Sequence, residues 1–275
     1  MATASKPVYD SDRQVSAAAR EIREIGRYRY LLGQLVKRDI TTRYKRSVLG
    51  VAWTMINPLG TMLILSLVFS QLFKTVESYP VYILTGLAVW NFFSQGSNAA
   101  IGNLVWGGSL LNRIYIPRTI FGISAIGTAL VNLLLTIVPL IIVMLSVHFP
   151  VPWTMVLIPI PILFLALFTL GWGLFLSALA VFFPDVAEMY QIVLTAWMYM
   201  TPIIYPETMD LPPFVRTFFN YNPMYWMVKL FRVVTYEGRL PAIGEVWPAA
   251  LWAVGMIIVG WLFFTSKSDE YAYRV

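Results

Sequence analysis

Apolar and polar positions alternate along this chain on two scales. Over residues 21–46, Ile22, Ile25, Tyr28, Leu32, Leu35 and Val36 recur at three- and four-residue steps, with Arg23, Arg27, Lys37 and Arg38 mostly between them. That spacing predicts an amphipathic helix, basic on its polar side and too charged to cross a bilayer, lying on a membrane surface. Beyond it polar residues become sparse. Six apolar stretches follow, at about 53–73, 80–105, 118–147, 153–183, 186–205 and 246–265. Each is long enough to cross a hydrocarbon core of about 30 Å at about 1.5 Å per helical residue. Only helices fit, because lipid offers no partner to unpaired backbone groups. The third and fourth stretches are expected to tilt or project, and Pro139, Pro159 and Pro161 to kink them.

The interruptions are informative too. Between the fifth and sixth stretches lie FVRTFFN and YWMVKLFRVV, apolar but broken by charge and too short to span. They predict interfacial or re-entrant helices within about 206–240, tolerated where protein or a water-filled cavity covers them. Residues 106–117 (WGGSLLNRIYIP) mix glycine, apolar and basic residues, which suits a short helix parallel to the membrane. The expected organisation is therefore a polar tail at 1–27, an interface helix at 28–52, an all-α transmembrane domain at 53–265 and a short tail at 266–275.

Composition agrees with an oily surrounding. The chain is 58% hydrophobic and 12% charged, where globular proteins carry about 25% charged residues. The net charge of +6 does not point to nucleic acid, since 11 of the 20 Lys and Arg lie in residues 1–50, flanking the first apolar stretch, with no readout module among them. With six spans and both termini in the cytoplasm, 15 Lys and Arg fall inside and five outside, the bias that sets orientation in a cytoplasmic membrane. The first 30 residues lack the short apolar core of a signal peptide, so the first span is expected to direct insertion.

Several chemistries are excluded. There is no cysteine and one histidine, His148, so thiolate metal sites and cysteine nucleophiles are ruled out and no catalytic or metal-binding set is visible. The phosphate-cradling GxxxxGK[ST] loop is absent. No carboxylate or histidine falls well inside a span, where an ion-driven carrier would need one. Either energy for pumping comes from another subunit, or the chain does not pump. Asp185 and Glu188 share the D-x-x-E spacing of a helix N-cap with an acidic third residue; contact with a cytoplasmic partner is the alternative.

Four motifs occur in order: Arg38-Asp39-Ile40 with RYKRSVLGVAWTMINPL at 43–59, GGSLLNRIYIPR at 107–118, FFPDV at 182–186 leading to YMTPIIYP at 199–206, and YNPMYWMVKLFR at 221–232. Together they resemble the polysaccharide-export branch of the ABC-2 permeases, over roughly residues 28–265. Pro184 departs from that pattern, standing where many relatives are expected to carry a basic residue. The resemblance implies the type V exporter fold and a bacterial inner-membrane homodimer joined to two ATPase subunits that bind ATP and Mg. It implies export of a lipid-linked polysaccharide (O-antigen, teichoic acid or galactan type) through a channel between the permeases. It also implies that the loop at about 106–117 is a coupling helix in an ATPase groove, with Ser109, Leu110, Asn112, Arg113, Tyr115, Arg118 and Asp185 as coupling residues. An exporter of drugs or small lipids would share the fold, with fewer aromatics and amides along its path. A membrane scaffold without transport is the rival from another class.

Sugars stack a C–H face on aromatic rings and bond amides through hydroxyls. The expected channel residues are accordingly Trp53, Asn57, Tyr82, Trp90, Phe93, Gln95, Trp197, Tyr199 and Tyr205, with Asn91 and Asn98 on the same span as Gln95. Interface belts account for most other aromatics. Pro58 is expected to bend the first span or mark its start.

Overall fold

A computed structural model of the chain describes residues 26–45, 47–105, 117–209 and 212–267. Among these residues nine α-helices occur and no strand: α1 Arg29–Tyr44, α2 Trp53–Phe69, α3 Tyr79–Val105, α4 Thr119–Ser146, α5 Pro159–Phe182, α6 Asp185–Met200, α7 Pro213–Tyr221, α8 Pro223–Thr235 and α9 Ile243–Ser266. Short 3-10 turns precede α2 and α5.

Six helices run alternately between two ends. At one end, which we call the turn end, Tyr236 donates a hydrogen bond to the Glu77 carbonyl and stacks on Phe149, ring centroids 5.2 Å apart. There Thr154 also bonds the Val234 carbonyl at 2.8 Å and Tyr79 that of Ile204 at 2.7 Å. The α2–α3, α4–α5 and α6–α9 connections therefore meet. At the opposite end α1 lays Leu35, with Tyr28, Leu31 and Leu32, on Ile120 and Phe121 at the start of α4, the apolar side that the periodicity implies. The ends of α5 and α9 also meet there, with the Lys267 ammonium 5.7 Å from the Phe182 ring centre.

Four helical stretches are long and apolar enough to cross a bilayer: residues 50–69, 119–146, 159–182 and 243–266. The other two traversing helices fall short for different reasons. α3 has 27 residues but carries Thr85, Asn91, Ser94, Gln95, Ser97 and Asn98; it lies at the centre of the bundle, with Val81, Ile83, Leu84 and Phe93 fully buried. α6 is apolar but has only 16 residues, about 24 Å at 1.5 Å each.

The boundaries refine the sequence reading. The fifth apolar stretch ends as a helix at Met200, because Thr201 precedes Pro202 and takes the extended conformation (φ −105°, ψ 132°) that a following proline favours. Pro159 does not kink the fourth stretch but starts α5, with Pro161 in its first turn, where the missing N–H has no helical partner to lose. Pro184, not Asp185, caps α6, with no side-chain cap bond; Asp185 and Glu188 are exposed in the first turn, where negative charge suits the helix dipole. The two short segments are helical, α7 exposed apart from buried Phe219 and half-buried Val215, and α8 deeply packed.

One crossing explains two glycines. A Cβ on Gly260 of α9 would fall on the Gly171 carbonyl of α5, and one on Gly171 would fall on the Met256 backbone. The backbones touch directly, the small-residue contact that lets helices associate without a hydrophobic driving force.

Candidate functional site: a polar track along a central helix

At 100° per residue, Asn91, Ser94, Gln95 and Asn98 of α3 share one face. Each of the four is only half-buried. Tyr82, Trp90 and Phe93 lie on the other side and turn into the core, 7%, 5% and 0% exposed. Sequence reading placed amides and rings together in the channel; the helical period separates them. Phe93 packs on Phe168 and edge-on to Trp197, with centroids 5.7 and 5.2 Å apart. These rings offer almost no surface to a passing ligand.

The amide face continues onto neighbouring helices in both directions. On one side Gln95 Oε1 accepts from Asn132 Nδ2 of α4 at 3.0 Å and from Arg43 Nη1 of α1 at 3.2 Å. A cavity of about 320 Å³ opens there, lined by Arg43, Trp53, Asn57, Asn91, Gln95 and Asn132 among others. Tyr44 and Thr54 bond each other at its wall. The Asn57 and Asn91 amides have no protein partner among the described residues. Pro58 sits buried inside α2, and its ring removes the helical bond to the Thr54 carbonyl.

On the other side Gln191 of α6 donates to Asn98 Oδ1 at 2.6 Å, and Asn98 Nδ2 donates to the Ser94 carbonyl at 2.9 Å. Glu188, Gln191, Thr195 and Tyr199 follow at three- and four-residue steps, forming an exposed polar stripe along α6. Tyr190 and Leu194 face inward, and Met189, Ile192 and Val193 form a third, exposed apolar face. Of the expected channel residues, Trp53, Asn57 and Gln95 line the cavity. Tyr199 ends the stripe and is 63% exposed. Sequence reading passed over Arg43, Asn132, Gln191 and Thr195. Their signal is partnership across helices, which no single-helix pattern contains.

A second polar region, at the turn end, is closed. Residues 199–205 lie at or beyond the end of α6, where helical partners run out, yet every carbonyl finds a donor. Tyr205 Oη donates to Tyr199 O at 3.0 Å and Asn222 Nδ2 to Met200 O at 3.3 Å. The Ile203 N–H bonds Thr201 O at 2.7 Å. Arg232 Nη1 takes Pro202 O at 2.6 Å and Nη2 takes Ile203 O at 2.9 Å. Tyr79 serves Ile204 O at 2.7 Å, and Tyr82 serves Tyr205 O at 3.1 Å. Tyr82 Oη accepts in turn from Arg232 Nη1 at 2.8 Å. Trp197 donates to Asn222 Oδ1 at 2.8 Å. Tyr82, Trp197 and Tyr205, expected in the channel, are thus part of a clamp. Arg232 is 3% exposed and alone among the described charged side chains in being buried. Its guanidinium also lies 3.7 Å from the Tyr82 ring centre.

Of the expected coupling residues, Ser109, Leu110, Asn112, Arg113 and Tyr115 lie outside the described residues. Arg118 precedes α4, half-buried, and Asp185 opens α6. Among the described residues no group of His, Asp or Glu is placed to hold a metal.

Comparison with known proteins matches residues 30–236 to the model of a family described as ABC-2 type transporter. The O-antigen export system permease protein RfbA of Myxococcus xanthus is 30% identical over 265 residues, covering 93% of this chain and 99% of that protein. A Klebsiella pneumoniae protein of the same description is 27% identical over 247 residues, 88% of this chain and 93% of that protein. The polysialic acid transport protein KpsM of Escherichia coli is 23% identical over 242 residues, with coverage of 86% and 92%.

Proposed function

The chain belongs to the ABC-2 type transporter family, and on that premise we propose that it is the permease subunit exporting a lipid-linked polysaccharide across the bacterial inner membrane. ATP hydrolysis in a separate subunit drives the movement, with ATP and Mg held by that partner.

The observation that carries this reading is the polar track. Amides exposed at the depth of a bundle of apolar helices are unfavourable against lipid. They suit a water-lined path in which a glycan exchanges hydroxyl bonds with Asn91, Asn98, Gln191 and Thr195 as it moves. The permeases of O-antigen and capsule export among its relatives support a glycan over a drug or small lipid.

Six helices alternating between two ends support six spans, with both termini cytoplasmic and the turn end outside. α3 crosses despite its amides because its neighbours cover it, and α6 is extended across the bilayer by the clamped turn at 201–206. α7 and α8 return at the outer face. The path lies between two copies of the chain, since the stripe on α6 is open in one copy. Asn112, Arg113 and Tyr115, with Arg118 and Asp185, dock on the two ATPase subunits.

Depletion of the chain tests this reading. Undecaprenyl- or decaprenyl-linked glycan is expected to accumulate on the cytoplasmic face; its absence there contradicts the assignment. Replacing Asn112, Arg113 and Tyr115 by Ala is expected to leave the protein inserted while uncoupling hydrolysis from export, and normal export refutes the docking role.

A further inference from the structure

Beside the clamp, at the turn end, lies a pocket of about 430 Å³, within the range of small-molecule sites, about 300–1,000 Å³. It is bordered by three cations, Lys229, Arg232 and Arg239, and three carboxylates, Glu77, Glu207 and Glu237, beside Tyr82 and Tyr236. Their formal charges cancel, so the lining as a whole attracts neither sign.

The cations are already engaged. Arg232 Nη1 bonds the Tyr82 hydroxyl and Pro202 O, and Nη2 bonds Tyr82 O and Ile203 O. Both terminal nitrogens therefore have two acceptors for their two hydrogens. Its Nε is buried without a partner, out of reach of a ligand. Lys229 bonds Glu207 at 2.7 Å and the Tyr225 hydroxyl at 3.3 Å. Arg239 bonds Glu237 at 2.7 Å and Glu245 at 2.5 and 2.9 Å. Lys229 and Arg239 each keep one N–H to spare, but a phosphate would have to compete there with the carboxylates already paired to them.

The carboxylates, by contrast, have spare capacity. Lys229 and Tyr225 both use Oε2 of Glu207, leaving Oε1 open. Arg239 uses only Oε2 of Glu237. The Glu77 carboxylate has no hydrogen-bond partner among the described residues, and the chain connects to it there only through the Glu77 carbonyl. The carboxylates are not grouped closely enough to hold a metal ion. Thr75 and Thr208 add uncharged hydroxyls to the lining, so the pocket offers the donors and acceptors that a polyhydroxyl ligand can use.

We propose that this pocket is a subsite for a neutral sugar unit of the exported glycan, whose hydroxyls donate to the free oxygens of Glu77, Glu207 and Glu237. The inference rests on the transport reading above and adds a second contact point, outside the polar track, where the polymer is held as it leaves. Ion pairs fix Glu207 and Glu237 in place, so at these two carboxylates binding a sugar costs little side-chain ordering.

The full-length chain in nanodiscs, labelled with fluorotyrosine, is titrated with delipidated neutral O-polysaccharide and, separately, with inorganic pyrophosphate. The Tyr82 and Tyr236 fluorine signals are assigned by Tyr82→Phe and Tyr236→Phe. The glycan is expected to shift both signals, and pyrophosphate to shift neither. Glu77→Gln, at an exposed and unpartnered carboxylate, is expected to leave folding intact and weaken the glycan response about tenfold. Glu207→Gln is expected to weaken it further. Depleted cells complemented with the wild-type chain are assayed in parallel for clearance of lipid-linked glycan. If clearance is normal but the glycan shifts neither tyrosine, or Glu77→Gln responds as the wild type does, the subsite is wrong and the transport reading stands. Saturation by pyrophosphate also overturns the subsite, in favour of an anion site. Failure to clear glycan overturns the transport reading, and the subsite with it.

Discussion

The two polar regions within this bundle follow opposite rules. In the clamp at 199–205, each carbonyl is met by a named donor, and Arg232, Tyr79, Tyr82 and Asn222 spend their hydrogen bonds on the chain itself. Along the α3 track, the Asn57 and Asn91 amides have no partner among the described residues, while Gln95, Asn98 and Gln191 form a thin line of contacts with capacity left over. Residue type alone does not separate a structural polar group from a functional one at membrane depth. The number of unused donors and acceptors does. The clamp satisfies non-helical backbone that lipid would leave unpaired; the track leaves amides unpaired, and under the proposed function these serve the glycan.

The sharpest way to break the distinction is Arg232→Met. It orphans two buried carbonyls and a phenol, each costing about 1–3 kcal/mol. Stability in detergent is expected to fall by about 3 kcal/mol or more, with export falling only as abundance falls. Arg232→Lys should recover little, because an ammonium cannot reproduce the planar fork.

A milder probe is Tyr82→Phe, which removes the acceptor for Arg232 and the donor to Tyr205 while keeping the ring. A cost of about 1–2 kcal/mol is expected in thermal unfolding, with export per folded molecule unchanged. A larger loss of export than of protein would move Tyr82 back into the channel.

Asn57→Ala combined with Asn91→Ala tests the other region. These amides bond nothing among the described residues, so stability should change by less than about 0.5 kcal/mol. Export per molecule is expected to drop several-fold, at about 1 kcal/mol per lost hydrogen bond. The smallest effect is predicted for Glu188→Gln, exposed in the first turn of α6, at about 0.5 kcal/mol through the helix dipole; chemical denaturation measures it.

The clamp and the track were legible in the sequence to different degrees. The helices follow from apolar periodicity, and Leu35 of α1 packs inward as its spacing implies. The end of α6 is signalled by Thr201-Pro202, but what satisfies the freed carbonyls is not, since every residue carries a carbonyl and none advertises its donor. Arg232 looked like any charge in an apolar segment, and its partners are 29 to 150 positions away. The α3 amides were visible as types. Their separation from Tyr82, Trp90 and Phe93 follows from the 3.6-residue turn, but which side is covered depends on where α4, α5 and α8 pack. The close crossing at Gly171 and Gly260 was likewise hidden, because a glycine in a span has the same spelling whether it meets lipid or backbone.

Under the proposed function the glycan moves over the α3 and α6 polar track rather than along the apolar exterior. A photo-crosslinking residue at Thr195, compared in cells making the polymer with one at Leu262 on the exposed apolar face of α9, measures this directly. Glycan adducts are expected at Thr195, dependent on ATP, and only lipid adducts at Leu262. Glycan captured equally at both positions, or at neither while export continues, would contradict it.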